Sequence, residues 1–332
     1  MQIVSDIRTA HLSTPAVVTV GNFDGVHRGH QALLRHLADV ANASASPRPV
    51  TAIVTFDPHP LSVLRPDVPL KLLTAPRERL QIAAGLGIDI GVILPFTREL
   101  AALEPRDFLA LLKRHLRLSA LVVGPDFALG RGRSGNLDVL AGLADELDYR
   151  LIVLEPIVWE GKSVRSNTIR QLLADGDVAE AAALLGRLYH VSDIVRMGDR
   201  LGHQIGIPTA NFLEAEHKLW PGNGVYATRA WLRRDGRPHA YLSVSNIGVR
   251  PTVNGALRRL ETHILDFPPA GESGDLYDQE LTVEFVARLR GEQKFAGLPQ
   301  LVAQIRADID AARQILASAP LAEQPFFLTS LA

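Results

Sequence analysis

The sequence predicts an α/β domain with a doubly wound parallel sheet, followed by a small antiparallel β-barrel with a C-terminal helix. Three observations carry this. In the first half, the apolar runs AVVTV, TAIVTF, IDIGVIL, ALVVG and RLIVLE alternate with segments of helical spacing. Such alternation implies a parallel sheet with helices on both faces and ligands at the C-terminal ends of the strands. From about Gly186 the hydrophobic period shifts towards two, as in VYATRAWLRR, AYLSVSNIG, LETHILDF and LTVEFVARLR, which reads as short antiparallel strands closed into a barrel. Lastly, LPQLVAQIRADIDAARQIL has the apolar spacing of an amphipathic helix that plugs or flanks that barrel. The predicted domains are residues 1–186 and 187–332.

Each element has a local reason. The first strand covers residues 16–20 and its helix residues 29–42. A strand at 51–56 precedes a helix at 77–86, started by Pro76, since proline suits a first helical turn. A strand at 88–94 leads to a helix at 104–116 with Pro105 in its first turn. The strand at 120–124 is followed by a helix for which Asn136 is the N-cap, then by a strand at 150–155. Ser166 is placed as N-cap of the next helix and Asp177 as cap of the one ending at Leu185. RDGR at 234–237 and GESGD at 271–275 are turns between the later strands.

Composition narrows the function. The chain has 332 residues, 47% of them hydrophobic, which suits about two packed domains. Formal net charge is −1, and no like-charged block suggests a nucleic-acid tail. The basic run at 131–133 reads as a loop or a phosphate contact. Cysteine is absent, which removes disulfide and thiolate chemistry. The first residues, MQIVSDIRTA, lack the basic-then-apolar plan of a signal peptide, and no apolar stretch nears the ~20 residues of a membrane span. The expectation is a soluble, cytoplasmic protein acting on small molecules, with no nucleic-acid or membrane partner. Oligomerisation is left open.

The chemistry centres on GNFDGVHRGH, residues 21–30. A glycine-rich strand-to-helix junction presents free backbone N–H groups and a helix dipole to anions. His27 and His30 sit three apart at that junction, and Gly29 lets the backbone come close. The pattern suits nucleotidyl transfer, in which positive donors stabilise charge developing across the α–β bridge of ATP. Ordinary loop histidines, or a zinc pair, are the competing readings. TFDPHP brackets His59 with two prolines and makes a stiff loop. GPDFALGRGRSGN reads as a glycine- and arginine-rich loop over a phosphate, or as plain surface. In RSNTIR, capping alone explains Ser166, whereas Arg170 lies on the same helix face and reaches an anion at the helix start. In the second half, MGDRLGHQIGIPTANF combines glycines with Thr209 and Asn211, hard oxygen ligands suited to Mg²⁺ shared with ATP phosphates. Glu261 is either a solvated strand residue or a general base for an alcohol attacking a γ-phosphate.

GxFDGVHxGH, TFDPHP and GIPTAN, in this order and over nearly the whole chain, resemble the bacterial bifunctional riboflavin kinase/FAD synthetases. The resemblance implies two ATP-dependent transfers, riboflavin to FMN and FMN to FAD, with Mg²⁺. It implies catalytic roles for His27, His30, Arg170 and Glu261. Nucleotide contacts fall on Gly21, Phe23, Gly25, Gly29, Ser166, Asn167, Gly198, Gly202, Pro208 and Thr209. Flavin contacts fall on Phe56, Asp57, Pro58, Pro60, Asp126, Phe127 and Arg290, and metal contacts on Thr209 and Asn211. PGNGVYA, SNIGVRPT, DLYD and RLRGEQKF also match the kinase half. Asn167 stands where the family has Thr, Arg165 where it has Ser, and His203 where it has Arg. Histidine lacks the permanent charge and forked donors of arginine. A kinase with an impaired first domain, an adenylyltransferase for another phosphorylated substrate and a non-catalytic flavin-binding regulator remain as alternatives.

Overall fold

The computed structural model describes residues 1–319 apart from 11, 45, 156–157, 199–201, 203–204, 216, 253–254 and 269–275. His203 and Asp275 of DLYD therefore lie outside the described residues, as does the GESGD turn. Contacts divide the chain into two compact units that part between Ser166 and Asn167.

In the first unit, β1 (Gln2–Val4), β2 (Ala16–Val20), β3 (Val50–Asp57), β4 (Ile90–Pro95), β5 (Leu118–Val123) and β6 (Arg150–Val153) form one sheet in the order β1-β4-β3-β2-β5-β6. Every pairing is parallel. β2 is buried at all five positions, as a central strand covered on both faces must be. Successive β2 side chains serve opposite cores. Val18 and Val20 pack with α5 (Pro105–Leu116) and α6 (Leu137–Glu146), while Val17 packs with α1 (Arg28–Asn42) and α3 (Pro76–Gly85). Short helices α2 (Pro60–Leu64) and α4 (Arg98–Ala101) lie in the loops after β3 and β4, and a two-stranded hairpin, β7 (Val158–Trp159) with β8 (Lys162–Ser163), follows β6.

Local signals act as expected. Asn136 caps α6 by accepting the Val139 amide at 3.0 Å, and Pro76 and Pro105 open their helices. β1 is an addition: three residues have no periodicity to read, yet they pair with β4 at the sheet edge. TFDPHP is more than a stiff loop, because His59 caps α2 by accepting the Leu61 amide at 3.1 Å. Ser166 is a correction. It is the first residue of α7 (Ser166–Asp175) rather than the residue before it, and its hydroxyl donates to the Asp24 carbonyl at 2.8 Å. The basic run at 131–133 is spent within the unit: Arg131 pairs with Glu104 at 2.6 Å and Arg133 donates to the Asp126 carbonyl at 2.9 Å.

The second unit begins with α7 from Asn167 and α8 (Val178–Leu185), capped by Asp177 and closed by Gly186 at φ 71°. It continues as β9 (Tyr189–Ile194), β10 (Ala210–Leu213), β11 (Gly224–Arg234), β12 (Arg237–Thr252), β13 (Gly255–Ile264) and β14 (Glu280–Arg290), ending in α9 (Leu298–Ser318). The order is β10-β13-β12-β11-β14-β9, and every pairing is antiparallel. The sheet is a half-barrel: among the described residues its two ends meet through one bridge, the Arg196 amide donating to the Asn211 carbonyl at 2.9 Å. Four of the six strands are those that the period-two pattern marks. β9 and β10 are additions, too short or too polar to show it. The β11–β12 hairpin turns on Asp235 and Gly236 at φ 50° and 74°, the left-handed pair that an Asp-Gly hairpin requires. The final helix lays Ala312 and Leu316 on Val225, Ala227 and Val244 of the sheet.

Candidate active sites

The first site grows from the end of β2. After Val20 the backbone enters left-handed conformations at Phe23 (φ 49°), Gly25 (φ 85°) and Val26 (φ 36°). Phe23 and Val26 hold these at a cost that surrounding structure must offset. Asp24 is what fixes the turn. Its carboxylate, 2% exposed, accepts the Leu73 and Thr74 amides at 3.1 and 2.9 Å and the Thr74 hydroxyl at 3.2 Å. Thr74 Oγ1 in turn accepts the Gly25 amide at 2.8 Å. Arg79, 1% exposed, lies 3.9 Å from Asp24 and donates to the Thr74 and Phe56 carbonyls and to Thr55 Oγ1. Sequence reasoning missed this network. Asp24 sits inside the glycine motif, but Arg79 in PRER reads as an ordinary surface residue.

The turn delivers two stacked imidazoles. His27 is the N-cap of α1, and its Nδ1 accepts the His30 amide at 3.4 Å. An accepting Nδ1 puts the proton of a neutral ring on Nε2. The His27 and His30 rings stack with centroids 3.7 Å apart at 15°, and His30 meets Phe23 edge-on at 5.1 Å. A Cβ on Gly29 would come within 3.3 Å of the His27 ring. The glycine therefore serves the imidazole as well as the helix entrance. Gly21 does the same for Phe23, with a Cβ distance of 3.1 Å to its ring. The Arg28 guanidinium lies 3.6 Å from the Trp159 ring centroid, joining the helix start to the β7–β8 hairpin.

A cavity of about 460 Å³ opens beside the turn and brings Gly21, Phe56, Pro60, Asp126 and Phe127 together. Its size falls in the range of small-molecule sites. Asp57 and Pro58 are not on its wall. Phe96, edge-on to Phe56 at 5.3 Å, and Phe108 add to the apolar lining. Sequence reasoning missed both because each reads as core. On α7, Arg170 donates to Asn167 Oδ1 at 2.6 Å, so the Asn at the family's Thr position is engaged by the arginine it accompanies.

The second unit has its own cavity, of about 330 Å³, whose wall includes Gly202, Thr209, Glu261, His263, Arg290 and Phe295. Asn211 is 9% exposed and is not part of this wall, its Nδ2 donating to the Thr209 carbonyl at 3.0 Å. Two glycines make room for these groups. A Cβ on Gly198 would sit 2.5 Å from the Asn211 side chain, and one on Gly202 would sit 2.3 Å from the Ile207 carbonyl. Arg290 is held by Asp308 of α9, with Nε at 3.1 Å from both carboxylate oxygens and Nη2 at 2.8 Å from one. Asp308, 5% exposed, also accepts Gln304 Nε2 at 2.9 Å. On sequence alone Asp308 is one more acid on an amphipathic helix. Among the described residues, no three His, Cys, Asp or Glu side chains converge as a metal set. Thr209 and Asn211 supply hard oxygens that fit Mg²⁺ with most of its shell drawn from water and phosphate.

Comparison with known proteins gives a match for each half of the chain. The family model described as FAD synthetase matches residues 9–168, and the one described as riboflavin kinase matches residues 185–316. The chain is 38% identical over 299 residues to the bifunctional riboflavin kinase/FMN adenylyltransferase of Escherichia coli K12, covering 90% of this chain and 92% of that one. It is 31% identical to the protein of the same name from Haemophilus influenzae, covering 94% and 98%. A crystal structure named as a macrolide-efflux protein from Streptococcus pneumoniae superposes with a TM-score of 0.83 at 28% identity, over 94% of this chain and 98% of that one. Among the described residues no helix here is long and apolar enough to cross a membrane. With both family models matched in order and relatives aligned over nine-tenths of its length, the chain belongs to the bifunctional riboflavin kinase/FMN adenylyltransferase family.

Proposed function

We propose that the chain makes FMN from riboflavin and then FAD from FMN, each step consuming ATP, in the cytoplasm. One observation supports this best: each unit has its own cavity, the first lined by Gly21, Phe56, Pro60, Asp126 and Phe127 and the second by Gly202, Thr209, Glu261 and Arg290. By chemistry, residues 1–186 carry adenylyl transfer and 187–332 carry the kinase. Residues from Asn167 onward pack with the second unit, but Arg170 is assigned to the first reaction.

In the kinase step the riboflavin 5′-hydroxyl attacks the γ-phosphorus of ATP. Glu261 takes the hydroxyl proton, the new P–O bond forms, the bond to the β-phosphate oxygen breaks and ADP leaves. Thr209 and Asn211 would hold Mg²⁺ with the nucleotide, which supplies charge neutralisation when bound. Gly198, Gly202 and Pro208 shape the backbone around the phosphates. Arg290, braced by Asp308, faces the flavin.

In the second step an FMN phosphate oxygen attacks the α-phosphorus of ATP and pyrophosphate leaves. His27 and His30 stabilise charge on the α–β bridge, and the N-terminal amides of α1 add their dipole. The family resemblance assigns Ser166, Asn167 and Arg170 to the polyphosphate in this step, with Gly21, Phe23, Gly25 and Gly29 forming the turn. Phe56, Pro60, Asp126 and Phe127 receive the flavin, with Asp57 and Pro58 shaping the loop behind them. Small molecules are the only partners this chemistry requires.

The test is a flavin separation after incubation with riboflavin, ATP and Mg²⁺. FMN and FAD both form. His27→Ala stops the reaction at FMN. Glu261→Ala blocks FMN formation but leaves FAD synthesis from supplied FMN. One substitution that abolishes both steps, each given its own substrate, contradicts separate sites. FMN as the sole product of the unaltered chain supports the kinase-only alternative, and no product at all supports the flavin-binding regulator.

A further inference from the structure

We propose that His263 is a positioning residue of the kinase site: its Nδ1–H holds the Pro208 carbonyl and thereby sets Thr209 against the strand that carries Glu261. The inference rests on the reading of Thr209 as a magnesium–nucleotide contact.

His263 Nδ1 lies 2.8 Å from the Pro208 carbonyl oxygen. A carbonyl has no proton to give, so Nδ1 is the donor and the tautomer is set. The position of this bond gives it its importance. The β10–β13 ladder begins at Ala210 opposite Thr262. The residues before Ala210 lie beyond it, and Pro208 has no N–H with which to extend it. Upstream, Gly206 turns the chain at φ 73°, and the Ile207 amide returns to the Gly202 carbonyl at 2.8 Å. Thr209 thus sits between a turn and the start of a strand. Its own carbonyl is taken by Asn211 Nδ2 at 3.0 Å, and the carbonyl before it by His263. The two bonds fix successive peptide units of the PTAN segment.

The histidine also belongs to the site by its face. His263 and Glu261 are two apart on β13, so both side chains leave the sheet on one side. Both line the cavity that Thr209 lines. A strut placed there fixes the spacing between the threonine hydroxyl and the carboxylate without taking part in proton transfer itself.

The geometry makes an unusual demand on substitution. The side-chain amide nitrogen of Asn falls near the place of His Nδ1, and that of Gln near His Nε2. His263→Asn therefore keeps the donor to Pro208, whereas His263→Gln and His263→Ala lose it. With riboflavin saturating, steady-state kinase assays of the full chain should show KM for Mg-ATP raised about tenfold in the Gln and Ala variants, the scale of one lost hydrogen bond. The Asn variant should stay within about twofold, and kcat should change little in all three. An unaltered far-ultraviolet circular dichroism spectrum and melting curve in every variant report that the kinase unit is folded, and FAD synthesis from supplied FMN is unaltered. Asn and Gln variants that behave alike, an Ala variant with unchanged KM, or a loss confined to kcat each overturn the proposal. Thr209→Ala, assayed in parallel, separates the two levels. If it too leaves KM for Mg-ATP unchanged, the reading of Thr209 fails; if it raises KM while His263→Ala does not, only the role of His263 fails.

Discussion

Glu261 stands directly across from Asn211 on the neighbouring strand, and on its other side across from Asn246. Residues paired across strands share a face, so the carboxylate is flanked by an amide on each side. Neither neighbour can take a proton in its place. Glu261→Gln keeps the size and one acceptor oxygen but cannot act as base. FMN formation should fall by about 10²–10⁴-fold, the usual weight of a positioned base, while adenylylation of supplied FMN is unchanged. Chromatography of the flavin products from each substrate reads both outcomes. A Gln variant within tenfold of the parent would remove Glu261 from the proton transfer.

Gly29 offers a test in which stability and activity move in opposite directions. It is the second residue of α1, where alanine is favoured over glycine by less than the ~1 kcal/mol of a helix interior. The added Cβ, however, sits 3.3 Å from the His27 ring, closer than the ring tolerates without shifting. Gly29→Ala should leave the melting temperature equal or higher. It should lower FAD formation from FMN about tenfold, because the stacked imidazoles are displaced, a geometric loss of the kind that positioning explains. Kinase activity should be untouched. Full adenylyltransferase activity in this variant would mean that the position of the His27 ring does not govern the step.

Sequence reading succeeded where the determinant is local. Apolar runs, proline at helix starts, Asn136 and Asp177 as caps and the Asp235–Gly236 turn all depend on a few neighbouring residues, and all fold as read. It failed where the determinant is tertiary. Asp24 finds its partners 49 and 50 residues away at Leu73 and Thr74, and nothing in PRER marks Arg79 for burial. Asp308 faces Arg290 only because α9 folds back over the sheet. Among the aromatic residues of the first cavity, Phe56 and Phe127 were legible through the motifs that hold them. Phe96 and Phe108 were not, since a cavity wall and a core have the same composition.

The buried Asp24–Arg79 pair should dominate the stability of the first site. The ion pair itself is long, at 3.9 Å. Arg79 nevertheless supplies the positive charge beside a carboxylate that is 2% exposed. Removing one partner of such a pair costs about 3–5 kcal/mol, because the other charge stays buried. Arg79→Met should therefore lower the denaturation midpoint and reduce FAD synthesis, as the turn that carries His27 loosens. The double variant Asp24→Asn, Arg79→Met should recover part of that stability by removing the stranded charge. A double variant no more stable than Arg79→Met alone would show that the hydrogen bonds matter and the charges do not. Urea unfolding of the parent and the two variants decides it.

Asp89 gives the first unit a pH dependence. Its carboxylate accepts the Thr51 amide at 2.8 Å, the Thr51 hydroxyl at 2.9 Å and Arg48 Nη1 at 2.9 Å. This ties the chain entering β4 to the start of β3. Burial pushes the Asp89 pKa upward, but the Thr51 amide, Arg48 and the Thr51 hydroxyl outweigh it, and the group titrates below the ordinary carboxylate range. A carboxyl with a lower pKa in the folded state than in the unfolded chain favours folding at every pH above the unfolded value. That contribution fades as pH falls from the unfolded value, about 4, through the lower folded one. Asp89→Asn cannot titrate and accepts fewer bonds. It should be less stable than the parent at pH 7, by an amount that is constant down to about pH 5 and shrinks below pH 4. Urea midpoints at several pH values measure the gap between the two proteins. A gap that stays constant into acid would mean that the charge on Asp89 does not couple to folding.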